Sequence, residues 1–109
     1  MVYEVEFVRL PTFENTASGL LPEDEILELE VLLTLDPETG DKIPGSHGLR
    51  KVRCPAKGHG KRGGARVIYY YICSRNMILL ILAYAKNEME DLTPIQLKKL
   101  SSIIKSELP

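Results

Sequence analysis

Apolar and polar residues alternate from Val2 to Leu10, with Tyr3, Val5 and Phe7 on one side and Glu4 and Glu6 on the other. That period predicts a strand, which Pro11 ends. Phe13 to Leu21 fits either a short helix or a loop. A helix is expected from Pro22, because proline suits the first helical position and Glu23, Asp24 and Glu25 suit the positive end of the helix dipole. Ile26, Leu29, Leu32 and Leu33 give it an apolar stripe, and Glu23, Glu25, Glu28 and Glu30 read as a solvated face. Asp36-Pro-Glu-Thr-Gly40 breaks the chain, and Ile43 to Gly48 reads as a connecting loop.

Three strands are expected next: Leu49 to Cys54, Ala65 to Cys73 and Met77 to Ala85. Ser74-Arg75-Asn76 is short enough to join the last two as a hairpin. Both are almost continuously apolar, which predicts a sheet covered on at least part of each face. Thr93-Pro94-Ile95-Gln96 is a capping-box pattern opening a final helix, with Leu97, Leu100, Ile103 and Ile104 as its apolar stripe. The order β-α(α)-β-β-β-α implies an α+β fold: an antiparallel sheet of about four strands with helices packed on it.

With 109 residues, 44% of them apolar, the chain suffices for a single domain over residues 1–109. No apolar run approaches the roughly 20 residues of a membrane span. The amino terminus has neither the basic nor the apolar region of a secretory signal, so a cytoplasmic protein is expected. Cys54 and Cys73 lie in apolar segments and are expected as small buried thiols in a reducing compartment.

Charge changes this picture. The net charge is only -1, yet no Asp or Glu occurs between Lys42 and Asn87. That window holds ten bases: Lys42, Arg50, Lys51, Arg53, Lys57, Lys61, Arg62, Arg66, Arg75 and Lys86. Eleven of the fifteen acids lie between Glu4 and Asp41. A segment that gathers cations and excludes carboxylates suits a polyanion, since each neutralised phosphate releases counterions. The acidic half either keeps the molecule soluble and oriented on an anionic partner or contacts a basic protein.

Gly58-His59-Gly60-Lys61-Arg62-Gly63 matches the letters of a dinucleotide fingerprint, but a strand follows it where a helix is required. A phosphate-binding P-loop fails too, because Arg62 follows Lys61 and Pro55 stands where glycine is needed. His47, Cys54, His59 and Cys73 lack the close ligand pairs of a zinc site. What remains is a glycine- and cation-rich loop between two strands, whose backbone amides and Lys57, Lys61 and Arg62 suit phosphate, with Arg50 nearby. Alternation places Lys51 and Arg53 on one face of their strand and Val52 and Cys54 on the other. Arg66 opens the next strand and Lys86 closes the last.

Converging bases of this kind can serve RNA cleavage. Guanidinium groups bind phosphate through paired hydrogen bonds and offset the charge of a pentacoordinate transition state. A lysine crowded by cations has a lowered pKa and becomes a usable proton acceptor. The RNA 2′-hydroxyl can be the nucleophile, so no cofactor or metal is called for.

The runs Gly48-Leu-Arg-Lys-Val-Arg53, Lys57-Gly-His-Gly-Lys-Arg-Gly-Gly-Ala-Arg-Val-Ile-Tyr-Tyr70 and Ala83-Tyr-Ala-Lys-Asn-Glu88 resemble the HigB-like branch of the RelE/ParE toxin superfamily. The resemblance covers about residues 20 to 105. It implies the toxin of a bacterial type II toxin-antitoxin system, an endoribonuclease (mRNA interferase) that cleaves mRNA in the ribosomal A site and leaves a 2′,3′-cyclic phosphate. The implied partners are mRNA, the ribosome and a HigA-like antitoxin with a helix-turn-helix fold, through which alone it would meet operator DNA. By motif position Lys51, Arg53, Arg66 and Lys86 become the catalytic set. The chain departs from RelE after Lys86, with Asn87 where RelE has arginine, and with Leu92 or Thr93 where RelE has a catalytic tyrosine. The resemblance then leaves Lys51 or Lys86 as proton acceptor.

Tyr70 and Tyr84 suit either base stacking, worth about 1–3 kcal/mol each, or the core. Two further classes share this fold and composition: a ParE-like toxin that inhibits DNA gyrase by binding, and a non-catalytic RNA- or ribosome-binding protein.

Overall fold

The computed structural model describes residues 4–54, 64–86 and 92–107. Three helices and five strands occur in the order β1 (Glu6–Arg9), α1 (Pro11–Ala17), α2 (Glu23–Leu35), β2 (Asp41–Lys42), β3 (Leu49–Cys54), β4 (Ala65–Ile72), β5 (Met77–Ala85) and α3 (Pro94–Glu107). The α+β class agrees with the sequence pattern. The sheet differs from it: it has five strands in the order β1-β5-β4-β3-β2, and it is mixed. β1 runs parallel to β5, pairing Glu6 with Met77 and Arg9 with Leu80, while the other ladders are antiparallel. Alternation identifies a strand but carries no information on its partner's direction, which is why β1 was misread. The two-residue β2 is too short to have a period at all.

Each helix covers a defined part of the sheet. α1 and α2 bury Phe13, Ala17, Ile26, Leu29 and Leu33 against Val52, Cys54, Val67, Tyr69, Leu80 and Ala83 on one face. α3 buries Leu100 and Ile104 against Leu49, Ile68, Leu79 and Ile81 on the other. The central strands are therefore covered from both sides, as their unbroken apolar runs require. Pro22 is the N-cap of α2, so the helix begins at Glu23, one residue after the expected start. Leu32 is not part of the buried stripe and lies 43% exposed. The capping box of α3 is formed: Gln96 N donates to Thr93 Oγ1 at 3.2 Å and Thr93 N to Gln96 Oε1 at 2.8 Å. Cys54 is buried, but Cys73 falls outside β4, in the 3-10 turn Cys73–Arg75, and is exposed. Asn76 closes that hairpin in the left-handed conformation, φ 52°, which asparagine tolerates.

The β4–β5 ladder slips by one residue, so that Ile68 faces Leu82 and Tyr69 faces Leu80. Beyond Arg9, β1 no longer borders β5, and α1 takes over that edge. Thr12 Oγ1 donates to the Ile81 carbonyl at 2.5 Å and Thr16 Oγ1 accepts from Ala83 N at 2.9 Å. Two threonine hydroxyls thus satisfy backbone groups that a bulged, abandoned strand edge would leave unpaired.

Candidate nucleic-acid interface

The β3–β4–β5 ladders form a grid on which face and spacing can be read. Arg53 is the direct partner of Arg66, and Arg66 of Tyr84, so the three share one rung and one face. Lys51 lies on the same face one step along β3, on the rung of Ile68 and Leu82. Lys86 N donates to the Gly64 carbonyl at 3.2 Å, which carries the ladder one step past the Arg66–Tyr84 rung in the opposite direction. Same-face residues along a strand are about 6.7 Å apart and neighbouring strands about 4.8 Å apart. Lys51, Arg53, Arg66 and Lys86 therefore descend diagonally across three strands. Arg53 and Lys86 are exposed, and Lys51 and Arg66 are partly covered.

This is the sheet face that α3 covers, and Arg53 stands exposed on it. Tyr84, 5% exposed, forms the floor between the cations and the core under α3. Tyr70 is half-buried in the same core cluster, so both tyrosines take the core role. Gly48, at φ 112°, brings the backbone against the Tyr70 ring, where an added Cβ would sit 3.0 Å from Cε1. Tyr84 as the third member of the arginine rung was not singled out as a neighbour of Arg66. The signal was the hairpin register, which no local pattern supplies.

Arg50 is not brought to this face. It alternates with Val52 and Cys54, and its guanidinium donates to the Glu38 and Gly40 carbonyls at 3.0 and 2.7 Å and to Glu38 Oε2 at 3.1 Å. Its placement corrects the expected phosphate role: it ties the Asp36–Gly40 turn to the sheet. Strand parity alone was enough to reveal this. Beside it, the buried Tyr69 donates its hydroxyl to the Pro37 carbonyl at 2.8 Å and accepts from Gly40 N at 2.9 Å. Burial pushes that phenol's pKa up. Lys57, Lys61, Arg62 and the rest of the glycine-rich loop lie outside the described residues, as does Asn87. Among the described residues no His, Cys, Asp or Glu cluster could hold a metal ion, and no helix is long and apolar enough to cross a membrane.

Chemically, two guanidinium groups on one rung can bind one or two phosphates, and flanking ammonium groups can extend such contacts both ways. Like charges placed directly opposite across a ladder destabilise it.

No family model matches the sequence. The fold is similar to that of the E. coli toxin RelE, a mutant in the free state, with a TM-score of 0.52 at 16% identity over 95% of this chain and 98% of that one. It is likewise similar to the archaeal RelE–RelB complex structure from Pyrococcus horikoshii OT3, with a TM-score of 0.52 at 20% identity over 78% and 98%. The chain has the RelE fold.

Proposed function

We propose that this chain is a toxin of the RelE/ParE superfamily, in its HigB-like branch, acting as a ribosome-dependent mRNA endonuclease. The observation that carries the reading is the rung of Arg53 and Arg66 with Lys51 and Lys86 on the same face. In this scheme Arg53 and Arg66 hold the scissile phosphate and offset the charge that builds on it. Lys51 or Lys86 accepts the proton of the 2′-hydroxyl, whose oxygen then attacks phosphorus. The 5′-oxygen leaves with a proton from a neighbouring cationic acid, giving a 2′,3′-cyclic phosphate and a 5′-hydroxyl. The nucleophile comes from the RNA, and every group required of the protein is a base already on this face. Lys57, Lys61 and Arg62 extend the phosphate contacts.

The partners under this reading are mRNA in the ribosomal A site and a cognate antitoxin, HigA-like, in the bacterial cytoplasm. The existence of an archaeal RelE–RelB complex with a similar fold supports the antitoxin. Incubation with translating ribosomes should give cuts within codons, mapped by primer extension, with naked RNA largely spared. Arg66→Ala should abolish them. A folded protein that leaves mRNA whole would overturn the proposal, and DNA cleavage complexes in its place would assign the chain to gyrase inhibition.

A further inference from the structure

α2 is apolar on two sides. Ile26, Leu29 and Leu33 face the sheet, while Leu27, Val31 and Leu35 stand 51%, 61% and 80% exposed on the outward side. These three recur every fourth residue, so they form one stripe along the helix, with Leu32 at its margin. A surface helix normally confines its apolar residues to the core-facing side, and an outward stripe at helical spacing has the form of a helix-docking surface.

The charge around the stripe says what fits on it. Between Arg9 and Lys42 the chain carries nine acids and no Lys or Arg. Glu23 and Glu30 are held by Arg9, Glu38 by Arg50, and Glu25 is buried. Asp24 is exposed on the same arc as the stripe, three residues before Leu27. At the other end Asp36 is exposed beside Leu35, where the helix dipole is already negative and the last turn holds no base. A second copy of the chain would set this predominantly acidic surface against itself, and an anionic membrane would be repelled.

We propose that the outward face of α2 docks a cationic amphipathic helix of a partner protein. Leucine-like side chains would seat between Leu27, Val31 and Leu35, and flanking Lys or Arg would meet Asp24 and Asp36. α2 covers the sheet face opposite to Arg53 and Arg66, so this partner would bind without occupying the cationic face. The proposal stands whether or not that face cleaves RNA.

The probe is a fluorescent peptide with leucines at helical spacing and lysines on its flanks, titrated into the full chain. It should bind, and the same peptide with glutamate replacing lysine should not. Leu27→Gln with Val31→Gln, both at exposed positions, should weaken binding at least about tenfold while leaving the circular dichroism and heparin binding unchanged. Amide exchange in the unmutated protein gives a second readout, with new protection across 23–35 and none across 49–54. Equal binding of both peptides, equal binding by the double variant, protection on β3, or a dimer that the double variant dissolves would each overturn it.

Discussion

Arg53 and Arg66 face each other as direct partners across the β3–β4 ladder. Two like charges on one rung cost the fold about 0.2–1 kcal/mol, so a stability argument alone would remove one of them. Arg53→Gln should therefore leave the thermal midpoint unchanged or slightly raised, while RNA cleavage or toxicity falls by orders of magnitude. A variant that keeps full activity would show that the rung is not the phosphate seat. The affinity of the parent for single-stranded RNA should drop with salt more steeply than that of the variant, one phosphate contact fewer reducing the slope by about 0.7.

Thr16 is predicted to matter more than an isolated surface threonine. Thr16→Val keeps the shape but leaves the Ala83 N–H without its 2.9 Å acceptor, which should cost about 1–3 kcal/mol in urea unfolding. Thr34→Val, which removes only a back-bond to the Glu30 carbonyl within α2, serves as the control and should change little.

Gly40 is confined by space, since its φ is ordinary. A Cβ there would lie 2.8 Å from Tyr69 Cε1 and 2.9 Å from its hydroxyl oxygen. Gly40→Ala should destabilise by about 1–3 kcal/mol, and Tyr69→Phe by a similar amount through loss of the Pro37 and Gly40 contacts. The double variant should fall short of the sum, because both changes break one cluster.

Acid sensitivity should trace partly to Arg9. Its guanidinium bonds to Glu23 and holds that carboxyl below its usual value of 4.5. A carboxyl depressed in the folded state contributes stability above its unfolded pKa, and the contribution disappears as pH falls through the folded value. Glu23→Gln should flatten the stability profile on that acid side only, and added salt should do the same to the parent because Glu23 is exposed.

The legible parts of this fold were those with a local cause. The bounds of β5 follow from its apolar run and those of β3 from its alternation, and the α3 start follows from a reciprocal pair of hydrogen bonds between Thr93 and Gln96. Parity put Lys51 and Arg53 on one face, and the same parity, carried one residue back, puts Arg50 on the other. The parallel partner of β1, the bulge at Ile81 and the repair of that edge by Thr12 and Thr16 depend on contacts between distant segments. So does the Arg66–Tyr84 rung. Helical spacing puts Leu32 in the apolar stripe and an apolar segment puts Cys73 among the buried thiols, and the structure has both at the surface.

The parallel ladder also imposes a schedule. β3, β4 and β5 can zip together as soon as they leave the ribosome, but residues 6–9 must wait for 77–80 before their own ladder exists. Ladders of such wide sequence separation form late, since the loop must close before the contact rewards it. During synthesis the first strand therefore has no seat until the last one has emerged. A chain cut short before β5 should be a substrate for proteases and never a half-built domain.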